Sequence, residues 1–291
     1  MRDDETLTFV PDDGGVSGEL SPSSNFFWKD QDGMGALSTD IFTNTGWRDG
    51  ATVTGKRRAT RTITITGQLR TDLDDYDALR ESLLRIFRPG REGKLVYENA
   101  LYTRYIPCIV QSSPEPSRGI FPEADIEFFC ASPFWRGGDG TGKQLAQIAS
   151  LVNNLVFPFV FVEEGSVFGY RAPSLVTNII NTGDEELPLT IEFDVTAAVS
   201  DLKITNIQTQ DYLLVEGDFL AGDKVTVETD DDLITATLLR GGVETNIFNQ
   251  VPEEATWLKL AVGDNYLRAE ASNDDNVNVS IWFDDMLYTG V

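Results

Sequence analysis

Along residues 60–69 (TRTITITGQL) apolar and polar side chains alternate with a period of two. Arg61, Ile63, Ile65 and Leu69 share one face; Thr62, Thr64, Thr66 and Gln68 share the other. That is the pattern of a half-buried strand rich in β-branched residues. Residues 94–97, 102–111 and 124–130 read as further strands, broken by Pro and Gly turns. Between them the period changes. In residues 74–88 (DDYDALRESLLRIFR), Tyr76, Leu79, Leu83, Ile86 and Phe87 recur at spacings of three and four, which predicts an amphipathic helix. Asp72, Asp74, Asp75 and Asp77 crowd its start, Arg85 and Arg88 its end, as the macrodipole favours, and Pro89-Gly90 stops it.

The second half reads almost entirely as strand, at 211–215, 224–228, 234–239 and 277–283, with turns at 221–223, 241–242 and 263–265. Short strands with turn signals at intervals of about 8–12 residues predict a sandwich or jelly roll. A polar, Gly-rich run at 136–143 (RGGDGTGK) separates the halves. Charge steps there too: 16 basic against 21 acidic residues up to Gly137, then 7 against 26. The expected domains are therefore 1–137 and 138–291, with 138–175 as hinge and lead-in. The expected fold is mainly β with one clear helix: a β-sandwich plus helix first, a second β-sandwich after it.

Composition then narrows the chemistry. The chain has 291 residues, no His, 2 Cys and a net charge of -24. Without His there is no Ser–His–Asp or Cys–His machinery and no His-ligated zinc. Two cysteines cannot form a four-thiolate site or a disulfide framework. A pI near 4.2 disfavours a surface that grips nucleic acid or anionic membranes. The most apolar stretch, 151–162 (LVNNLVFPFVFV), is too short to span a bilayer, and the acidic start MRDDETLTF has no signal-peptide core. With 28 Asp, 19 Glu and only 7 Lys, the balance fits adaptation to molar salt, where self-repulsion is screened; the alternative is a merely acidic protein from an ordinary host.

Several motifs resolve into ordinary structure. Residues 137–144 (GGDGTGKQ) carry phosphate-loop spacing, but Gln144 stands where a Ser or Thr is needed, so a linker is expected. The Asp72–Asp77 cluster lacks the Gly of a calcium loop and reads as helix capping. Asp230, Asp231, Asp232, Asp274 and Asp275 read as solvated turn charges. Cys108 and Cys130 are expected as small buried apolar groups, with oxidation of a facing pair as the alternative. The aromatic pieces 25–28 (NFFW) and 133–135 (PFW) read as core, with exposed sugar-binding aromatics as the alternative. Lys56, Arg57 and Arg58, with Arg61, form the one dense basic patch. It is either a docking point for an acidic neighbouring subunit or a solvated strand end.

The order of these motifs resembles a known family. RTITITGQL, then DYDALRESLLRIFRPG, GKLVYE and DIEFFCASPFWRG are followed by Ile180-Asn181-Thr182-Gly183-Asp184, Leu202 to Asn206, Leu220 to Val225, Trp257 to Leu260, Gly263-Asp264-Asn265 and the 277–291 strand region. Together they are similar to the distal tail proteins of long-tailed, non-contractile phages. The resemblance implies a non-enzymatic ring hub of six copies at the virion tail tip, assembled in the host cytoplasm. It implies an N-terminal ring-forming domain and a galectin-like C-terminal β-sandwich. The implied partners are the tail tube protein, the tail-tip hub protein and receptor-binding or side-fibre proteins. Genome DNA would pass through without specific binding, repelled by carboxylates along the bore. No cofactor, metal or membrane insertion is implied. The acidic, Lys-poor composition departs from the family's usual member and suggests a virus of a salt-loving, perhaps archaeal, host. The expected assembly interface is Arg57, Arg58, Arg61, Thr62, Thr64, Thr66 and Gln68, with strand edges pairing between protomers. Two competitors remain. One is a glycan-binding module using exposed Trp257 or Trp282, although the His usual in galectin-type sites is missing. The other is a secreted β-sandwich enzyme, disfavoured by the absence of His.

Overall fold

A computed structural model of the chain describes residues 5–21, 24–35, 37–47, 49–70, 76–116, 122–137, 143–147, 150–153, 169–172, 176–230, 233–272 and 276–291. The chain divides into two compact units, Met1–Thr141 with Leu287–Val291, and Gly142–Met286.

The described residues of the first unit form β1 (Thr6–Pro11), β2 (Gly18–Glu19), β3 (Phe26–Asp32), β4 (Thr39–Asn44), β5 (Thr52–Arg58), β6 (Arg61–Leu69), α1 (Tyr76–Ile86), β7 (Glu92–Glu98), β8 (Thr103–Ser112), β9 (Glu123–Cys130) and β10 (Trp135–Gly137). The main sheet runs β2-β1-β7-β8-β9-β6-β3, with antiparallel neighbours. The two-residue period becomes burial: every odd position of β6 from Arg61 to Leu69 is buried. Leu7, Phe9, Ile63, Ile65, Leu95, Ile126 and Phe128 fill the core. Phe87, just past α1, closes it, 5.7 Å from the Phe9 ring and 6.1 Å from that of Phe128. Each such side chain contributes about 1.5–3 kcal/mol on burial. Leu83 and the half-buried Tyr76, Leu79 and Ile86 seat α1 on the same core. Its end is capped by Arg91, which donates to the Ile86 carbonyl, and by Gly90 at φ +79, where a side chain would be strained. The predicted start at 74–75, with Asp72, lies outside the described residues.

Cys108 and Cys130 are buried and free, as read from the sequence. Burial pushes the Cys130 thiol up to about 12 and Cys108 upward as well, so neither is a thiolate at neutral pH. Phe26, Trp28 and Trp135 are core residues.

The last five residues group with the first unit, whereas the composition step would put them with the second. Leu287–Tyr288 forms a strand on β10, which itself pairs with β8. Long-range pairing, to which a charge count is blind, makes this assignment.

The second unit holds two main sheets. One runs Gln144–Gln147, Val277–Phe283, Leu187–Val195, Lys224–Asp230, Leu233–Arg240, Val243–Asn246, with Lys259–Leu260 beside Leu187–Val195. The other runs Val176–Asn181, Gly263–Ala271, Val199–Asn206, Tyr212–Phe219. Ile191, Val225, Val227 and Ile281 of the first sheet and Leu202, Ile204, Leu213 and Leu267 of the second are fully buried, as the inner faces of a sandwich are. Within the span read as a hinge, Gln144–Gln147 is thus a sheet strand, and Ser150–Asn153 pairs with Gly169–Ala172. Residues 138–142, the centre of the phosphate-loop-like run, lie outside the described residues, as do 154–168 and Asp231, Asp232, Asp274 and Asp275.

Candidate assembly surface

Strands β4 and β5 pair with each other and with no other strand among the described residues. A two-stranded ribbon alone in water is marginally stable, and this one is exposed along almost its whole length. Ile41, Phe42 and Val53 are 59%, 50% and 52% exposed, and Trp47 at the tip is fully so. Residues 38–59 carry four cations (Arg48, Lys56, Arg57, Arg58) against two carboxylates (Asp40, Asp49), a basic segment in a strongly acidic chain.

The ribbon is firmly rooted. Arg61, at the start of β6, is only 4% exposed. Its guanidinium donates to the carbonyls of Gly33 (2.7 Å) and Met34 (2.6 Å) before β4, and to that of Thr289 (2.6 Å) in the returning segment. Trp135 Nε1 donates to the same Met34 carbonyl at 3.0 Å. Gly33 has φ +83, and a Cβ there would lie 2.1 Å from the Thr62 carbonyl oxygen, so only glycine fits. Arg104 holds the returning segment from the other side. Its guanidinium lies 3.6 Å from the Tyr288 ring centroid and 4.1 Å from that of Tyr102, and it donates to the Gly290 carbonyl.

The expected interface residues fall in three places. Arg61 is buried: period two places it on the inner face with Ile63, where its Nη1 and Nη2 donate to three carbonyls while its Nε is left without a partner. The edges of β6 are not open, because β9 and β3 pair with it on either side. Thr62, Thr64, Thr66 and Gln68 lie on its outer, solvent-facing side. Arg57 and Arg58 lie on exposed β5. Arg57 bridges Asp40 at 2.9 Å, and Arg58 donates to Thr39 Oγ1 at 2.9 Å.

A feature that the sequence reading passed over adjoins the Thr face. On β9, Glu123, Asp125 and Glu127 sit opposite Gln68, Thr66 and Thr64. All three carboxylates therefore stand in one row on the outer face. Thr66 donates to Asp125 at 2.7 Å, and Lys29 pairs with Glu123. The alternation in residues 123–128 carried this signal.

A cleft of about 420 Å³ beside α1 is lined by Val16, Glu81, Arg85 and Arg91 among others. A recess of about 110 Å³ in the second unit includes Lys143, Glu228, Asp230 and Trp282. Trp282 and Trp257 are half-buried, and Trp257 stacks on Phe248 at 5.4 Å. Among the described residues no group of three His, Cys, Asp or Glu is placed to hold a metal, and no helix is long and apolar enough to cross a membrane. The family-like motifs of the second unit are turn locks. Asn181 donates to the Glu185 and Leu260 carbonyls, and Asn265 to those of Ile179, Ala261 and Gly263.

Residues 17–130 match the phage tail protein RIFT-related domain, and residues 182–285 match the siphovirus-type tail component, C-terminal domain. No curated protein matches the chain. Among solved structures, the crystal structure of the SPP1 Dit (gp 19.1) protein, from a phage infecting Gram-positive hosts, is similar with a TM-score of 0.62 at 16% identity, over 97% of this chain and 99% of that one. A chain of the phage p2 baseplate in its activated conformation with Sr gives a TM-score of 0.43 at 9% identity, over 96% and 97%.

A mainly β first unit with one helix among its described residues, followed by a β-sandwich unit, is matched in that order by two phage tail domains, which marks a phage tail structural protein. The chain belongs to the siphovirus-type tail component family, that of the distal tail proteins.

Proposed function

We propose that the chain is a ring-forming hub at the distal end of a tail tube, working by fitting against copies of itself and its neighbours with no bond made or broken. One observation carries this reading: a rooted, free-standing β4–β5 ribbon exposes apolar side chains that a monomer leaves in water. Copies related by rotation, each lending an arm to the next, close into a ring and cover those side chains. On this reading six copies form the ring, and the first unit makes it and meets the tail tube protein. The second unit faces the tail-tip hub and receptor-binding or side-fibre proteins. The ring sits at the virion tail tip after assembly in the host cytoplasm. DNA passes through an acidic bore that does not hold it.

Electron micrographs of the purified chain at high protein concentration test this directly. Closed rings with sixfold symmetry are expected. A stable monomer with no affinity for the tail tube protein would overturn the reading.

A further inference from the structure

Resting on that ring reading, we infer that the arm's seat is the outer face of β6 and β9 in a second copy of this chain, with Lys56 and Arg58 set against the Glu123, Asp125, Glu127 row. Thr39 pairs with Arg58 and Ile41 with Lys56, so Lys56, Arg58 and Ile41 share one face of the ribbon. Arg57 is on the other face, occupied with Asp40 and lying 5.8 Å from the Phe42 ring centroid. The first face therefore presents two cations two residues apart beside an exposed aliphatic group.

The row on β9 has the same repeat. Side chains two residues apart on a strand are spaced by about 6.8 Å, from a rise of ~3.4 Å per residue. Lys56 and Arg58 thus match the pitch of successive carboxylates. Between the carboxylates and β3, Thr62, Thr64 and Thr66 offer methyl groups, and Phe129, opposite Thr62, is half-buried. These give Ile41 an apolar partner. The occupant is argued from charge: the arm is net basic, and the Glu123, Asp125, Glu127 row on another copy of this acidic chain offers the complementary sign. Arm on one copy and face on the next make a head-to-tail contact, the kind that closes into rings.

The test uses the full chain and charge reversal at exposed positions. K56E/R58E reverses the arm, and D125K/E127K reverses the face. Analytical ultracentrifugation should show association weakened tenfold or more in each variant, since like charges across an interface cost several kcal/mol. Mixing the two variants restores every arm-to-face pair, and so should a chain carrying all four changes. Thermal melts like wild type certify the fold of each variant. Assembly of either variant as wild type would overturn this contact while leaving the ring reading intact. So would a well-folded fourfold variant, or a mixture, that fails to recover. Wild type that never associates removes both readings. Loss of binding to a short DNA duplex in K56E/R58E, with unchanged association, would reassign the arm to nucleic acid.

Discussion

Arg61 shows how a single side chain is decided by competing demands. Its charge argues for solvent, while its place in the alternation argues for the interior. Burial disfavours the ion and pushes its pKa below the usual guanidinium value. Three backbone carbonyls compensate by accepting from it. Asp223 is the same problem with the opposite sign. Its side chain is 3% exposed and accepts from Arg240 Nε (2.9 Å) and from the Leu220 amide (2.7 Å). The hydrogen bond from Arg240, first, and that from Leu220 hold its carboxyl below the ordinary carboxylate range. The folded pKa therefore lies below the unfolded value of about 3.9. Its stabilisation is fully present above about pH 4 and is lost as pH falls through the folded value. Asp223→Asn is expected to cost about 1–3 kcal/mol at pH 7 and to make the acid side of the stability profile shallower. Unfolding curves at pH 7 and pH 3 measure both, and a wild-type curve at pH 7 contradicts the assignment.

At the scale of elements, the arm and the returning segment form one mechanical part. The ribbon's root at Gly33 and Met34 is held by Arg61, and Arg61 in turn holds the Thr289 carbonyl. Gly290 packs against the Gly35 backbone so closely that a Cβ there would meet it at 3.1 Å. Deleting residues 287–291 removes the strand on β10, one acceptor of Arg61 and the ring stacked on Arg104. The expected result is an arm that wavers: faster proteolysis within residues 38–59 and weaker self-association, with the second unit's strands still protected from hydrogen exchange. Cleavage of the arm at the wild-type rate would show that the root holds without the clasp. Most of the helix pattern, by contrast, survives any such change, because Leu83 and Phe87 are anchored in the main core.

For the whole molecule, charge sets how stability responds to the solvent. Self-repulsion acts on any chain this acidic, and it is concentrated after Gly138, where 26 carboxylates face 7 cations. Raising ionic strength from 0.1 M to 1 M shortens the Debye length from about 10 Å to about 3 Å and removes most of that repulsion. If the composition reflects salt adaptation, the melting temperature should climb with KCl over this range. A flat or falling Tm would leave only an acidic protein of ordinary habit. The insertion of the second unit into the chain of the first adds a constraint of its own. The first unit is completed only by residues that follow the whole second unit in sequence.

Local periodicity determined a good deal of this protein. The alternation at 60–69 and the helical stripe around Leu79 and Leu83 were legible, because side-chain direction repeats with fixed period in strand and helix, whereas the charge of Arg61 pointed to a surface patch and only the packed structure shows it buried. The missing His and scarce Cys likewise bounded the chemistry. Strand partners were not legible. Nothing near β6 in sequence says that β9 and β3 close its edges, that β4 and β5 find no third strand among the described residues, or that 287–288 pairs with β10. Those outcomes depend on contacts between residues far apart in the chain, whose formation is a property of the packed whole. The acidic row on β9 is visible as letters, but only its alignment beside the Thr face of β6 makes it a surface.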